Sequence, residues 1–159
     1  MRTIVAEPIT PDAFAPYGDV LACPAEPGRV YCDQGLANGR PEVGASLSLA
    51  HIAPVAEMPL RVWQMERHEF SSQSFVPLDA ARYVIVVAPK AANGGPDADK
   101  ARAFLVPGTI GITYYADVWH HPIAVLDRAA RFAVVMFRDG GPRDEEFVPV
   151  PEAFLVTLG

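Results

Sequence analysis

No stretch of this chain sustains a 3.6-residue apolar period for long; short apolar runs instead alternate with turn chemistry every few residues. Such runs, of about five to eight residues, predict strands. They fall at Thr3–Glu7, Ser46–Ile52, Leu60–His68, Gln73–Val76, Tyr83–Ala88, Ala103–Val106, Gly111–Tyr114, Pro122–Leu126, Arg131–Phe137 and Glu146–Val150. Between them lie Asp79-Ala80-Ala81, Asn93-Gly94-Gly95-Pro96, Pro107-Gly108, Asp127-Arg128-Ala129-Ala130 and Asp139-Gly140-Gly141-Pro142, which supply turn residues. Two helical turns are predicted. Thr10 offers an N-cap with Pro11 at the first helical position and Gly18 as a stop, and Pro96–Arg102 supports a second turn. About ten short strands with such punctuation predict an all-β sandwich, jelly roll or barrel. Cys23 to Val43, rich in Gly, Pro and polar residues, reads as a loop excursion.

Composition narrows the class. The 159 residues fit one domain spanning 1–159, and half of them are apolar, enough for a core. Thirteen Lys and Arg against nineteen Asp and Glu give a net charge of −6, with no basic cluster, which argues against nucleic acid as the main partner. The N-terminus shows no signal-peptide pattern, and the longest apolar run, Tyr83–Pro89, is too short to cross a bilayer. Cys23 and Cys32 are too few for a zinc knot and are expected to be reduced. The chain is therefore expected to be cytoplasmic, without a membrane partner.

Chemistry concentrates on the third predicted strand. Alternation places Leu60, Val62, Gln64, Glu66 and His68 on one face and Arg61, Trp63, Met65 and Arg67 on the other. The first face turns polar towards one end, which suits a barrel packed at the bottom and open at the top. Equally, it could be the solvent face, with Trp63 and Met65 as core. The short turn after His68 folds Gln73 back beside Glu66 and His68, and a second dense patch follows at Gly111–Pro122. Cupin barrels bring a His-x-His pair, an acid and a later His to one metal. Glu66, His68, Gln73 and His120 stand in the corresponding places here, with Glu in the first His position and Gln in the acid position.

Glu66-Arg67-His68, Gln73-Ser74-Phe75-Val76-Pro77, Gly111-Ile112-Thr113-Tyr114 and Trp119-His120-His121-Pro122, in this order and spacing, resemble the ureidoglycolate lyase family. The likeness runs from Phe14-Ala15-Pro16-Tyr17-Gly18-Asp19 to Arg138-Asp139-Gly140-Gly141, nearly the whole chain. It implies a cupin-type β-barrel or jelly roll with one or two short helices, a homodimer, and cleavage of ureidoglycolate to glyoxylate and urea in allantoin breakdown. It also implies a divalent metal such as Ni, Mn or Zn. Tyr115 stands where some members carry His.

Ureidoglycolate bears a hydroxyl, a carboxylate and a urea nitrogen on one carbon. Its cleavage needs a base for the hydroxyl proton, an acid for the departing nitrogen and positive charge for the carboxylate. Glu66, His68, Gln73 and His120 are assigned to metal or substrate, with Glu66 or His120 as base and Tyr114, Tyr115 or His121 as acid. Arg102 is the preferred cation among Arg67, Arg82, Lys90 and Arg102, because Arg67 points away by alternation. Each residue has a plainer role: the histidines and Gln73 can be structural, and Glu66 can pair with an arginine. His121, adjacent to His120, is expected to face away, Trp63 and Trp119 to be core or interface aromatics, and Tyr83–Ala88 a central strand buried on both faces. Two other functions fit the same pocket: a non-catalytic cupin that binds a small acid or sugar, and another metal-dependent cupin enzyme.

Overall fold

The computed structural model describes residues 1–159. Its strands are β1 (Thr3–Pro8), β2 (Gly18–Leu21), β3 (Ala45–Ile52), β4 (Leu60–Arg67), β5 (Gln73–Pro77) and β6 (Arg82–Ala88), then β7 (Arg102–Pro107), β8 (Gly111–Tyr114), β9 (Trp119–His120), β10 (Ala124–Leu126), β11 (Ala130–Phe137) and β12 (Glu146–Leu158). One helical turn, α1 (Pro11–Phe14), and one 3₁₀ turn, Ala98–Lys100, complete the list. Thr10 caps α1 through its side-chain oxygen, which accepts from the Ala13 amide, and Pro11 opens the helix.

The strands form two sheets. The first runs β10-β6-β7-β1-β12-β4-β9, and β9 also pairs with β6, so that six of its strands close into a ring. The second runs β2-β8-β5-β11-β3 and ends on an open edge at β3. This is the expected all-β class, with one sheet closed into a barrel. Strand β6 is the wall between two cores. Tyr83, Ile85 and Val87 pack with Phe104, Ile112, Tyr114 and Phe132 in the space between the sheets, whereas Val84, Val86 and Ala88 pack with Val62, Met65, Trp119, Phe154 and Val156 inside the ring. A strand buried on both faces needs an unbroken apolar run, and Tyr83–Ala88 is one. Each such side chain contributes about 1.5–3 kcal/mol by leaving water.

Three elements differ from the sequence reading. The helix ends at Phe14 with Ala15 as its C-cap, before Gly18. Gly18 instead opens β2, a strand the sequence reading did not predict, at a place where a Cβ would lie 1.8 Å from the Thr113 carbonyl oxygen. Trp119–His120 is a strand of two residues, too short for any periodicity to reveal. Strand β12 continues to Leu158 rather than ending at Val150.

The fourth difference matters for function. Val62 and Met65 lie three positions apart yet share the ring core, so the predicted alternation from Leu60 to His68 breaks between them. Opposite the break, β12 shifts register between Pro149 and Phe154. Pro149 and Pro151 cannot donate to the ladder, which accounts for the irregularity. After it, Met65 faces the ring core and Glu66 the space between the sheets. Trp63 is left half exposed, so it is not core.

The loop excursion from Cys23 to Val43 is present but not loose at its end. Arg40 and Val43 are buried, and Arg40 donates to Asp144 Oδ1 at 2.7 Å. Burial alone would raise the Asp144 pKa, but Arg40 and the Asp139 and Gly140 amides hold it down to about 2. Because the folded state favours the carboxylate, its contribution to stability is complete above the ordinary value of 3.8 and is lost as the pH falls through about 2. Asp144→Asn should therefore unfold at lower urea than the parent at pH 6, and the gap should narrow at pH 3. An unchanged gap would show that the charge contributes nothing.

Candidate active site

Strand pairing brings the site together from both halves of the chain. Glu66 on β4 is directly opposite His120 on β9, and His120 is in turn opposite Val87 on β6. Gln73 on β5 is opposite Tyr114 on β8. The two sheets meet where the Tyr114 ring stacks on the His120 ring, with centroids 4.0 Å apart and planes at 14°. His68, one residue beyond the end of β4, lies with its ring centroid 5.3 Å from that of His120. The donor atoms of Glu66, His68 and His120 all fall within 4.8 Å of one another, and His120 Nε2 is 3.5 Å from Glu66 Oε1.

Both imidazoles are fixed in the same way. His68 Nδ1 lies 2.9 Å from the Asp144 carbonyl oxygen, and His120 Nδ1 lies 2.9 Å from that of Val118. A carbonyl only accepts, so each Nδ1 carries a proton and each Nε2 faces the site, an acceptor on a neutral ring and a donor on a charged one. His68 Nε2, His120 Nε2, Gln73 Oε1 and the Tyr114 hydroxyl are buried without a protein partner. Native proteins leave few buried polar groups unpaired. Four in one corner mark a place shaped for something the chain does not itself supply.

Charge follows the same geometry. Burial would raise the Glu66 pKa, but the imidazoles beside it, His120 first and then His68 and His121, hold it below the ordinary value. Burial, with the neighbouring His120, lowers that of His68 despite the Asp144 carbonyl and Glu66. Burial pushes the Tyr114 hydroxyl well up, so it stays protonated. Two imidazoles with their far N–H groups held by carbonyls, together with one carboxylate, form a donor set that fits a divalent cation.

The other expected residues lie elsewhere. Arg102 shares the sheet row of His120 but stands two strands away, roughly 10 Å by strand spacing. Its guanidinium is engaged by Glu7, at 2.9 and 3.0 Å, and by the Ala13 carbonyl at 2.9 Å, away from Glu66, His68 and His120. Tyr115 follows Tyr114 and turns the opposite way. Its hydroxyl donates to Asp19 Oδ1 at 2.6 Å, which raises its pKa to about 12 and directs its proton away from Glu66, His68 and His120. The remaining cation candidates are also paired: Arg67 with Asp117 and Glu146, Arg82 with Asp127, and Lys90 with Asp117. His121 Nδ1 donates to the Pro122 carbonyl at 2.7 Å, a structural contact. The sequence reading missed the carbonyls of Asp144 and Val118, since a main-chain acceptor leaves no mark on residue type. It also missed Arg40, whose partner is 104 residues away.

A family model described as Ureidoglycolate lyase matches residues 1–157. The chain belongs to the ureidoglycolate lyase family. Curated relatives agree over nearly their whole length. The ureidoglycolate lyase of Pseudomonas fluorescens SBW25 is 34% identical over 167 residues, covering 99% of this chain and 98% of the relative. That of Pseudomonas aeruginosa PAO1 is 35% identical over 166 residues, 98% and 96%, and that of Burkholderia mallei 35% over 165 residues, 99% and 95%. Among solved structures, a dTDP sugar isomerase from Desulfovibrio desulfuricans G20 aligns with a TM-score of 0.48 at 18% identity, covering 84% of this chain and 82% of that one. Oxalate decarboxylase from Bacillus subtilis aligns with 0.42 at 14%, covering 91% and 30%.

The unpartnered atoms of this family member give a stability test. The Tyr114 hydroxyl forms no protein hydrogen bond, so Tyr114→Phe should leave the unfolding free energy within about 0.5 kcal/mol of the parent or raise it. Ser74→Ala, which leaves the buried Thr113 hydroxyl without its 2.7 Å partner, should cost about 1–3 kcal/mol. A large loss from Tyr114→Phe in urea denaturation would mean that the hydroxyl is part of the fold rather than of the site.

Proposed function

We propose that the corner between the sheets cleaves ureidoglycolate into glyoxylate and urea, as a carbon–nitrogen lyase of allantoin breakdown. The observation that carries the reading is the group of four unpartnered polar atoms around Glu66, in a chain of this family. They match a small substrate rich in oxygen and nitrogen and poor in apolar surface.

The reaction needs one proton moved from oxygen to nitrogen, and one carboxylate can do both halves. Glu66, held ionised by the imidazoles, accepts the hydroxyl proton. The O–H electron pair closes the new carbonyl, and the C–N pair leaves with the urea nitrogen. Glu66, now a carboxylic acid, returns the proton to that nitrogen, so the urea departs neutral. Tyr114, kept protonated by burial, donates a hydrogen bond to the substrate, and Gln73 supplies an amide beside it. A divalent ion held by Glu66, His68, His120 and Gln73 would acidify the substrate hydroxyl and balance its carboxylate. The same reading carries a homodimer and a cytoplasmic location with it.

Purified protein given racemic ureidoglycolate should release glyoxylate and urea without ammonia. Ammonia as product would indicate amide hydrolysis instead, and no product would indicate a binding module. Glu66→Gln and His120→Ala should each lower kcat about 10²–10⁴-fold while shifting Tm by only a few degrees. Chelation should abolish turnover, and Mn²⁺, Ni²⁺ or Zn²⁺ should restore it; full activity in stripped protein would remove the ion from the reaction. Sedimentation equilibrium should give twice the chain mass of 17.2 kDa.

A further inference from the structure

Arg40 is the only buried cationic side chain, and nothing in the proposed reaction uses it. As a stabilising device it is poor. A buried ion pair seldom exceeds the apolar packing that could replace it, and Arg40 Nε is left without a partner. Its geometry leads instead to His68. The Arg40 guanidinium donates to Asp144 Oδ1 at 2.7 Å. The same carboxylate accepts the amides of Asp139 at 3.2 Å and Gly140 at 2.7 Å, so it gathers the turn from Asp139 to Asp144 around itself. Gly140 takes the left-handed backbone this turn requires, with φ of 83°. The carbonyl at the end of that turn, Asp144 O, is the acceptor for His68 Nδ1–H.

The chain around Arg40 also holds His68 from its other side. The Gly39 amide donates to the Phe70 carbonyl at 2.7 Å, the Ser72 amide to the Ala37 carbonyl at 3.0 Å, and the Ala37 amide to Ser72 Oγ at 2.9 Å. The Arg40 guanidinium lies over the Phe70 ring, 5.6 Å from its centroid. Residues 37–40 thus bind the turn that follows His68, while Arg40 reaches across to the turn that receives its ring proton.

We infer that Arg40 and Asp144 are positioning residues, which fix His68 with its proton on Nδ1 and its Nε2 lone pair towards Glu66 and His120. Removal of Arg40 takes away the shortest charged contact of the Asp144 carboxylate and leaves it the two turn amides and Arg138 at 3.6 Å, so the turn loosens and the carbonyl no longer selects one tautomer. Groups that orient a functional imidazole in this way typically matter by 10–100-fold in activity or ion affinity. The inference rests on the proposed function only in that His68 serves this site.

The test reads the ring directly. In metal-free protein with ¹⁵N-labelled histidine at pH 8, long-range ¹H–¹⁵N correlation should show His68 protonated on Nδ1. In Arg40→Met the Nε2-protonated tautomer should appear, kcat should fall 10–100-fold and KM should stay within about threefold. Arg40→Lys, which keeps the charge, should restore the tautomer and most of kcat. Asp144→Asn provides the same test should Arg40→Met fail to fold, with the same shift expected. A parent His68 protonated on Nε2, or a folded variant that keeps the Nδ1 tautomer, overturns the inference. The tautomer is observed without turnover, so a protein with the expected His68 signals but no lyase activity would sink the proposed reaction and leave this inference standing.

Discussion

Burying a carboxylate and two imidazoles in one corner is the constraint around which the rest of the barrel is arranged. Each buried polar atom without a partner costs about 1–3 kcal/mol. Four of them approach the whole net stability of an ordinary domain, which is about 5–15 kcal/mol. The offset comes from apolar burial on both sides of β6, where six successive residues are almost wholly removed from water. The Glu66–His120 pair sits on the same sheet row as Val87 of that strand. The most apolar strand therefore lies beside the most polar cluster, and the apolar wall that stabilises the fold also dries the site and strengthens its electrostatics.

The break in β4 makes this arrangement possible. In a regular strand Val62 and Glu66 would share a face, and a carboxylate would follow a valine into the ring core. The prolines of β12 interrupt the partner ladder opposite that stretch, and the strand changes face before Met65. Met65 then fills the ring core as Glu66 turns to the space between the sheets. A local irregularity assigns one polar side chain to a different compartment from the apolar residues that precede it, in keeping with the general placement of bulges next to functional sites.

How much of this was legible in the sequence depends on range. The strands with five or more apolar or alternating residues, β3 to β7 and β11 among them, were readable because their pattern is local. The strand Trp119–His120 was not, since two residues carry no period and its existence depends on β4 and β6 on either side. Glu66, His68, Gln73, Tyr114 and His120 were legible as a set through motif order and strand adjacency. Arg102 and Tyr115 were favoured by residue type and place in the motif, while their partners, Glu7 and Asp19, are settled by long-range pairing that no local pattern records. The role of the Asp144 carbonyl was illegible in principle: every residue type carries one.

The fate of the positive charges bears directly on how an anion could be held. With a net charge of −6 and thirteen Lys and Arg, the chain has few cations to place at a site. Arg67, Arg82, Lys90 and Arg102 are each occupied by carboxylates, and Arg40 is occupied by Asp144. Moving any of them to a substrate would break an existing pair and leave its partner carboxylate unbalanced. Glu66 adds a negative charge of its own at the place where the substrate carboxylate would enter. Two like charges in a buried corner repel strongly, because the low polarity that dries the site also removes screening. The nearest source of compensating charge is the donor set itself, on the imidazoles or on a cation bound by them. Both routes depend on His68 and His120 keeping their Nε2 atoms towards Glu66, which makes the two carbonyl acceptors as necessary to anion binding as the imidazoles themselves.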